Sequence, residues 1–289
     1  MSTESTSIIN AQEAPFQTEL YIPQADQKRL AWDDIKCGFE KWRIWLALAY
    51  QDIKIRYRRS VLGPFWLTIS MAISTYSMGY LYSHLFHTDL QTYFPFLVSG
   101  VLSWTLISGS LLELIDGLAG AEAMIKQIKL PYSLHIHRIA ARHMLIFFHN
   151  CLVIVPVIAI FHQVAKINLN TLLLIPSLIV VYINSVTYGL ILGIVGARYR
   201  DVSQIIKSLI QVIFFLTPIM WRPEVLPANK QFIVLFNPFA SFVQIMRAPL
   251  LGSAPALHDV IAVSIYTAVG LLLCYKLLVR CRARIVYWL

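Results

Sequence analysis

Six long apolar runs dominate the chain, at residues 62–86, 93–115, 143–162, 171–196, 203–221 and 258–279. Each approaches or exceeds the ~20 residues that carry a helix across ~30 Å of hydrocarbon. Residues 38–59 follow a different pattern. Trp42, Trp45, Leu46, Ala49, Ile53 and Tyr57 recur at helical spacing, with Lys41, Arg43, Asp52, Lys54 and Arg56 between them. A basic amphipathic helix carrying Trp suits the membrane interface. It would otherwise need a soluble core to lie on, and the chain offers none. Residues 231–246 are apolar but short and broken by Asn237-Pro238, with Pro223, Pro227, Pro249 and Pro255 around them. Two short helices of a re-entrant element are expected there, because proline breaks a continuous span.

The pattern thus predicts an all-α, polytopic integral membrane protein with six transmembrane helices. Its expected parts are a flexible cytoplasmic tail over 1–37, an interface helix over 38–61 and a membrane domain over 62–289, with the outer re-entrant segment at 222–257. The first 30 residues are polar and hold no apolar core of a signal peptide.

Composition agrees: 57% of the 289 residues are hydrophobic and 13% charged, with mean hydropathy +0.63. Soluble domains carry about 25% charged residues. The net charge of +9 would suit nucleic acid if it lined one face. Instead the charges fall between the apolar runs, which removes nucleic acid as a partner and makes them topology signals. With both termini in the cytoplasm, twenty of the 24 Lys and Arg are cytoplasmic and four lie outside. Cys37, Cys151, Cys274 and Cys281 have no metal-ligand spacing, and no disulfide is expected on the cytoplasmic side.

Chemical motifs are absent. There is no G-x-x-x-x-G-K-[ST], so no ATP site of that kind, and neither H-E-x-x-H nor G-x-S-x-G. His135 and His137 are expected in a solvated cytoplasmic loop rather than on a metal, since a spacing of two does not share a helix face. No catalytic or metal-binding residue is assigned.

Three stretches resemble the membrane subunits of ABC-2 type polysaccharide exporters: QDIKIRYRRSVLGPFWL at 51–67, GARYRDVSQIIKSLIQVIFFLTPIMWR at 196–222 and FNPFASFVQIMRAPLL at 236–251. The resemblance runs from about residue 40 to the end. Arg-Arg-Ser-Val-Leu-Gly-Pro is closer to the O-antigen form than to the capsule form. It implies a homodimeric permease in the bacterial cytoplasmic (inner) membrane, served by two copies of a separate ATPase subunit that binds ATP and Mg. This chain itself would bind no cofactor. The implied cargo is a polyprenyl-pyrophosphate-linked glycan such as O-antigen, with membrane lipid as the other partner. Teichoic acid, capsule and small-molecule ABC-2 export are the alternatives within the family. A membrane glycosyltransferase is the alternative from another class, and it predicts acidic or histidine clusters that the loops lack.

On this resemblance the segments take mechanical roles. Arg56, Arg58 and Arg59, just before the first span, would hold lipid headgroups or the substrate pyrophosphate, or would simply anchor the topology. Residues 117–131 would hold the coupling helix, with Glu122, Met124, Ile125, Lys126, Ile128 and Lys129 facing the ATPase and Pro131 ending it. Relatives often carry Asn near position 121 or 123 and an aromatic before the proline. Ala121, Ala123 and Leu130 stand here instead, so the detail of that contact differs. Tyr76, Tyr80, Trp104, Phe214 and Phe215 are the channel-lining candidates. Pro218, Asn237 and Pro238 are the gate candidates.

Overall fold

The structure, a computed structural model, describes residues 24–289. Among them there is no strand. The chain runs through α1 (Gln24–Glu40), α2 (Trp42–Arg56), α3 (Phe65–Leu85), α4 (Leu90–Leu114), α5 (Glu122–Gln127), α6 (Tyr132–Asn150) and α7 (Ile154–Ile160). It continues with α8 (Leu174–Arg198), α9 (Arg200–Leu216), α10 (Phe232–Leu235), α11 (Pro238–Leu250), α12 (Leu257–Cys281) and α13 (Ile285–Trp288).

Four helical stretches among the described residues are long and apolar enough to cross a membrane: Leu90–Leu114, Tyr132–Ile160, Leu169–Arg198 and Leu257–Trp288. A fifth crossing is possible if Ala228–Leu235 and Pro238–Leu250 count as one. These two meet at 83°, the geometry of a broken span or a re-entrant loop, around the expected Asn237-Pro238. The runs at 62–86 and 203–221 form α3 and α9 but fall short on those measures. In α3, Thr68, Ser70, Ser74, Thr75, Ser77 and Ser83 dilute the apolar character. The 17 residues of α9 reach about 26 Å at ~1.5 Å each, and its first turn holds Arg200 and Asp201.

Three expectations change. The tail expected over 1–37 lies, for residues 1–23, outside the described residues; from Gln24 on it is helix, and Ala31 and Asp34 are buried. The reason is a specific dock: α1 packs on α6 and α12. The third apolar run begins eleven residues earlier as a helix, at Tyr132 rather than 143. His135 and His137 therefore sit on α6, not in a solvated loop, and both are buried. They avoid solvent without sharing a face because α6 has neighbours on several sides, namely α1, α2, α4 and α8. The ring of His137 stacks on Trp45 at 5.4 Å, and its Nδ1 lies 2.8 Å from the Tyr182 hydroxyl.

Packing centres on α4, which touches α3, α6, α8 and α11. Its buried hydroxyls do not disturb the core, because each returns to a carbonyl of α4 itself: Ser99 to Pro95, Ser103 to Ser99 and Ser108 to Trp104, all within 2.7–2.8 Å. Small residues then let helices approach closely, as membrane bundles require. At Gly196 on α8 a Cβ would stand 2.2 Å from the Ile115 carbonyl oxygen. Two apolar cores result. One, at the end of the bundle holding α1 and α13, joins Ala31, Leu114, Ile136, Ile194, Leu278 and Ile285. The other, toward the far end, joins Leu102, Phe147, Val181, Ile219, Val243 and Met246.

Candidate functional site

At the far end, α9 stops because Pro218 has no N–H to continue the ladder. Thr217 donates its hydroxyl to the Ile213 carbonyl at 2.7 Å, closing the last turn. Twenty residues on, Asn237 caps α11: its side-chain oxygen accepts from Phe239 N at 3.0 Å, with Pro238 in the first helical position. The same amide donates to Thr217 Oγ1 at 3.0 Å. Pro218, Asn237 and Pro238 are thus brought together at the junction of α9 and α11.

The sequence reading missed the residue at the centre of this junction. Arg247 of α11 is 3% exposed. Its Nη2 donates to the Pro218 carbonyl at 2.8 Å and to Ile219 at 3.4 Å, and its Nη1 to Gln244 Oε1 at 3.5 Å. The guanidinium lies over the Phe96 ring of α4, 3.9 Å from its centroid. Gly100 makes the room, since a Cβ there would stand 2.1 Å from Nη2. A lone Arg inside the apolar stretch FVQIMRAPLL was the available signal.

The channel candidates separate into four places. Trp104 is buried with its ring 5.7 Å from Phe214 and 5.8 Å from Phe239. Phe215 is exposed on the outer surface of α9. Tyr76 donates its hydroxyl to the Val153 carbonyl at 2.6 Å and packs on Phe94. Tyr80 is exposed, its ring on His84. Beside Phe239 lies an apolar cavity of about 360 Å³ between α4, α8, α9, α11 and α12, lined among others by Ile107, Asn184, Tyr188 and Ile210.

The three arginines before α3 also part company. Arg56 faces Glu113 of α4 at 3.8 Å. Glu113 in turn takes Arg142 and, at 2.7 Å, His143. Asp52 of α2 takes both Arg138 and Arg142 of α6. Arg58 and Arg59 are exposed, the latter with φ of 82°. Among the described residues, Arg58 and Arg59 have no acidic partner, whereas Arg56 has Glu113.

The expected coupling loop contains α5, one turn and a half long. Lys126 donates to Glu122 at 2.6 Å, and that hydrogen bond holds the Glu122 carboxyl below the usual carboxylate range. Met124 and Ile125 are half-buried, with Ile125 against the core near α1. Ile128 and Lys129 are exposed beyond the helix. The apolar stripe is therefore divided: one part anchors the loop, and the other is presented outward.

The sequence profile of ABC-2 type transporters matches residues 43–251, from α2 through the end of α11. The chain belongs to the ABC-2 type transporter family. Two proteins of Klebsiella pneumoniae, each named O-antigen export system permease protein RfbA, are similar to it. They are 23% identical over 202 and 204 residues, covering 68% of this chain and 76% of each relative. As an ABC-2 transporter it is a multi-pass membrane protein. The matched region contains the α9–α11 junction, the α2–α6 ion cluster and the α5 loop, so all three belong to the transporter domain.

Proposed function

We propose that this chain is the permease subunit of an ABC exporter that moves a polyprenyl-pyrophosphate-linked polysaccharide, of the O-antigen type, out of the bacterial cytoplasm across the inner membrane. The observation that carries this reading is the family match over 43–251 together with relatives named O-antigen export permeases. A separate ATPase subunit binding ATP and Mg supplies the energy, because the chain has no P-loop. The exposed Lys126 on α5 and, just beyond it, Ile128 and Lys129 are its docking surface.

Six crossings are proposed, with α3 and α9 as the first and fifth, α2 in the interface and α10–α11 re-entrant on the outer side. The composition of α3 and α9 supports this placement. Ser70, Ser74, Ser77, Tyr80 and His84 are exposed along one side of α3, interleaved with exposed Ile73 and Leu81, and Gln204, Ser208 and Gln211 along one side of α9, with exposed Phe215 at its end. Polar groups facing hydrocarbon are costly, so such stripes suit a water-filled path. Two copies of the chain facing each other through these helices would enclose one. Arg58 and Arg59 at its cytoplasmic mouth would receive the pyrophosphate.

Deleting the gene in its host tests the reading. Surface polymer is expected to vanish while full-length lipid-linked chains build up inside, seen on a glycan blot and in the extracted polyprenyl pool. Unchanged surface glycan would overturn it, and loss without build-up would point to a synthetic enzyme. Reversing Lys126 and Lys129 to Glu should leave membrane insertion intact and abolish export while ATP hydrolysis continues. Normal export by that double variant would remove the docking role.

A further inference from the structure

We propose that Arg247 is a latch: its guanidinium holds the α9–α11 junction against α4 and so keeps the far end of the bundle closed at rest. The inference rests on the transport reading of the preceding section and assigns the closing contact to one positioning residue. Nothing in the family match or in the relatives' names singles it out.

Four features of the contact carry the argument. It is a bridge between separate parts: Arg247 lies on α11, the carbonyls of Pro218 and Ile219 belong to the segment just after α9, and Phe96 belongs to α4. A planar cation on an aromatic face with carbonyls in its plane uses both properties of a guanidinium. The contact is given room by design of the chain, since Gly100 lacks the Cβ that would collide with Nη2. It adds a polar tie to a joint that is otherwise mainly apolar, with Trp104 of α4 against Phe214 and Phe239, Arg222 over Phe96, the Asn237 amide on Thr217 and on the Leu216 carbonyl, and the Tyr93 hydroxyl on the Met220 carbonyl.

The fourth feature makes it a latch and not a bolt. Among the described residues no carboxylate pairs with Arg247, and its Nε is buried without a partner. A buried cation with donors to spare is poorly compensated, so water entering the junction would solvate it at once. The closed state is thus held by contacts that hydration replaces, and the junction can open without losing them outright. Removing the guanidinium instead leaves the Pro218 and Ile219 carbonyls buried with no donor. The junction then loosens toward water.

The test is thiol accessibility in intact cells carrying the full chain with its ATPase. Ile219 is fully buried, so Ile219→Cys should resist a membrane-impermeant maleimide at rest. Adding Arg247→Met should speed its labelling on the order of tenfold, the scale of losing a charged hydrogen-bond pair. Arg247→Lys keeps charge and donors and should restore most of the protection. Leu102→Cys, fully buried in α4, should stay protected throughout, which a merely unfolded variant would not permit. Gly100→Ala, which displaces the guanidinium, should mimic Arg247→Met. Equal labelling in all backgrounds overturns the latch, as does equal deprotection of Leu102→Cys. Exposed Val225→Cys reports the side. If it labels only in everted vesicles, the topology reading fails, and the same comparison in those vesicles still decides the latch.

Discussion

Replacing Asp52 with Ala should destabilise the folded chain by about 3 kcal/mol, the scale of breaking a buried pair by removing one partner. The carboxylate of Asp52 accepts from Arg138 Nε at 2.8 Å and Nη2 at 2.5 Å, and from Arg142 Nη1 at 2.5 Å. Its side chain is 13% exposed, Arg142's 9% and Arg138's 24%. Arg142 keeps its ion pair with Glu113 when Asp52 is lost, but Arg138 loses its one hydrogen-bonded acid among the described residues and keeps only the more distant field of Glu113. The cost therefore comes from a stranded cation more than from a lost attraction. It follows that Asp52→Leu combined with Arg138→Met should recover more than half the loss, because removing both charges removes the desolvation problem. Thermal unfolding in detergent, followed by size-exclusion of the surviving peak, reads both variants. A single variant within about 0.5 kcal/mol of wild type, the range of ordinary surface changes, would show that the cluster does not hold α2 to α6.

That cluster marks where the sequence was legible and where it was not. Apolar periodicity located α4, α8 and α12 well, because a hydrophobic run long enough for lipid is a one-dimensional signal. It placed the bend at Asn237-Pro238 for a similarly local reason: proline there lacks the donor a continuous helix needs. It misjudged the start of α6, where Arg138, Arg142, His135 and His137 look like a charged loop. Those residues are helical because Asp52 and Glu113 neutralise the arginines from α2 and α4, 86 and 29 positions away in sequence for the nearest hydrogen-bonded pairs. No window along the chain contains such partners. Pro218, Asn237 and Pro238 do meet at the α9–α11 junction, since proline and a capping Asn carry their local geometry with them. Arg247 did not, because its partners are backbone carbonyls and a phenylalanine face, neither of which complements a charge in the sequence. The five aromatic candidates were chosen by type, and type does not tell a ring packed in the core, as Trp104 is, from one left exposed, as Tyr80 is.

The same lesson gives the second large effect, at a residue in the segment expected to be a tail. Asp34 of α1 has a fully buried side chain. It accepts from the backbone N–H groups of Tyr132 and Ser133 at 3.2 and 3.1 Å, so it caps the N-terminus of α6 from another helix. It also takes Arg282 Nε at 3.1 Å, and its own carbonyl accepts from Ser133 Oγ at 2.7 Å. Gly38 one turn later lets α1 lie this close, since a Cβ there would stand 2.0 Å from Ser133 Oγ. One carboxylate thereby fastens α1, the start of α6 and the segment after α12. Asp34→Ala should cost about 3 kcal/mol, combining a lost cap of ~1 kcal/mol with a lost charge-assisted bond and a stranded arginine. Asp34→Asn keeps one acceptor oxygen and should recover about 1 kcal/mol of that. Because α5 and Pro131 immediately precede the capped turn, the Ala variant should also raise hydrogen exchange at Tyr132 and Ser133 while leaving the middle of α4 protected. Equal exchange in the two proteins would mean that α6 keeps its first turn without Asp34, and that α1 is only laid against the bundle rather than fastened to it.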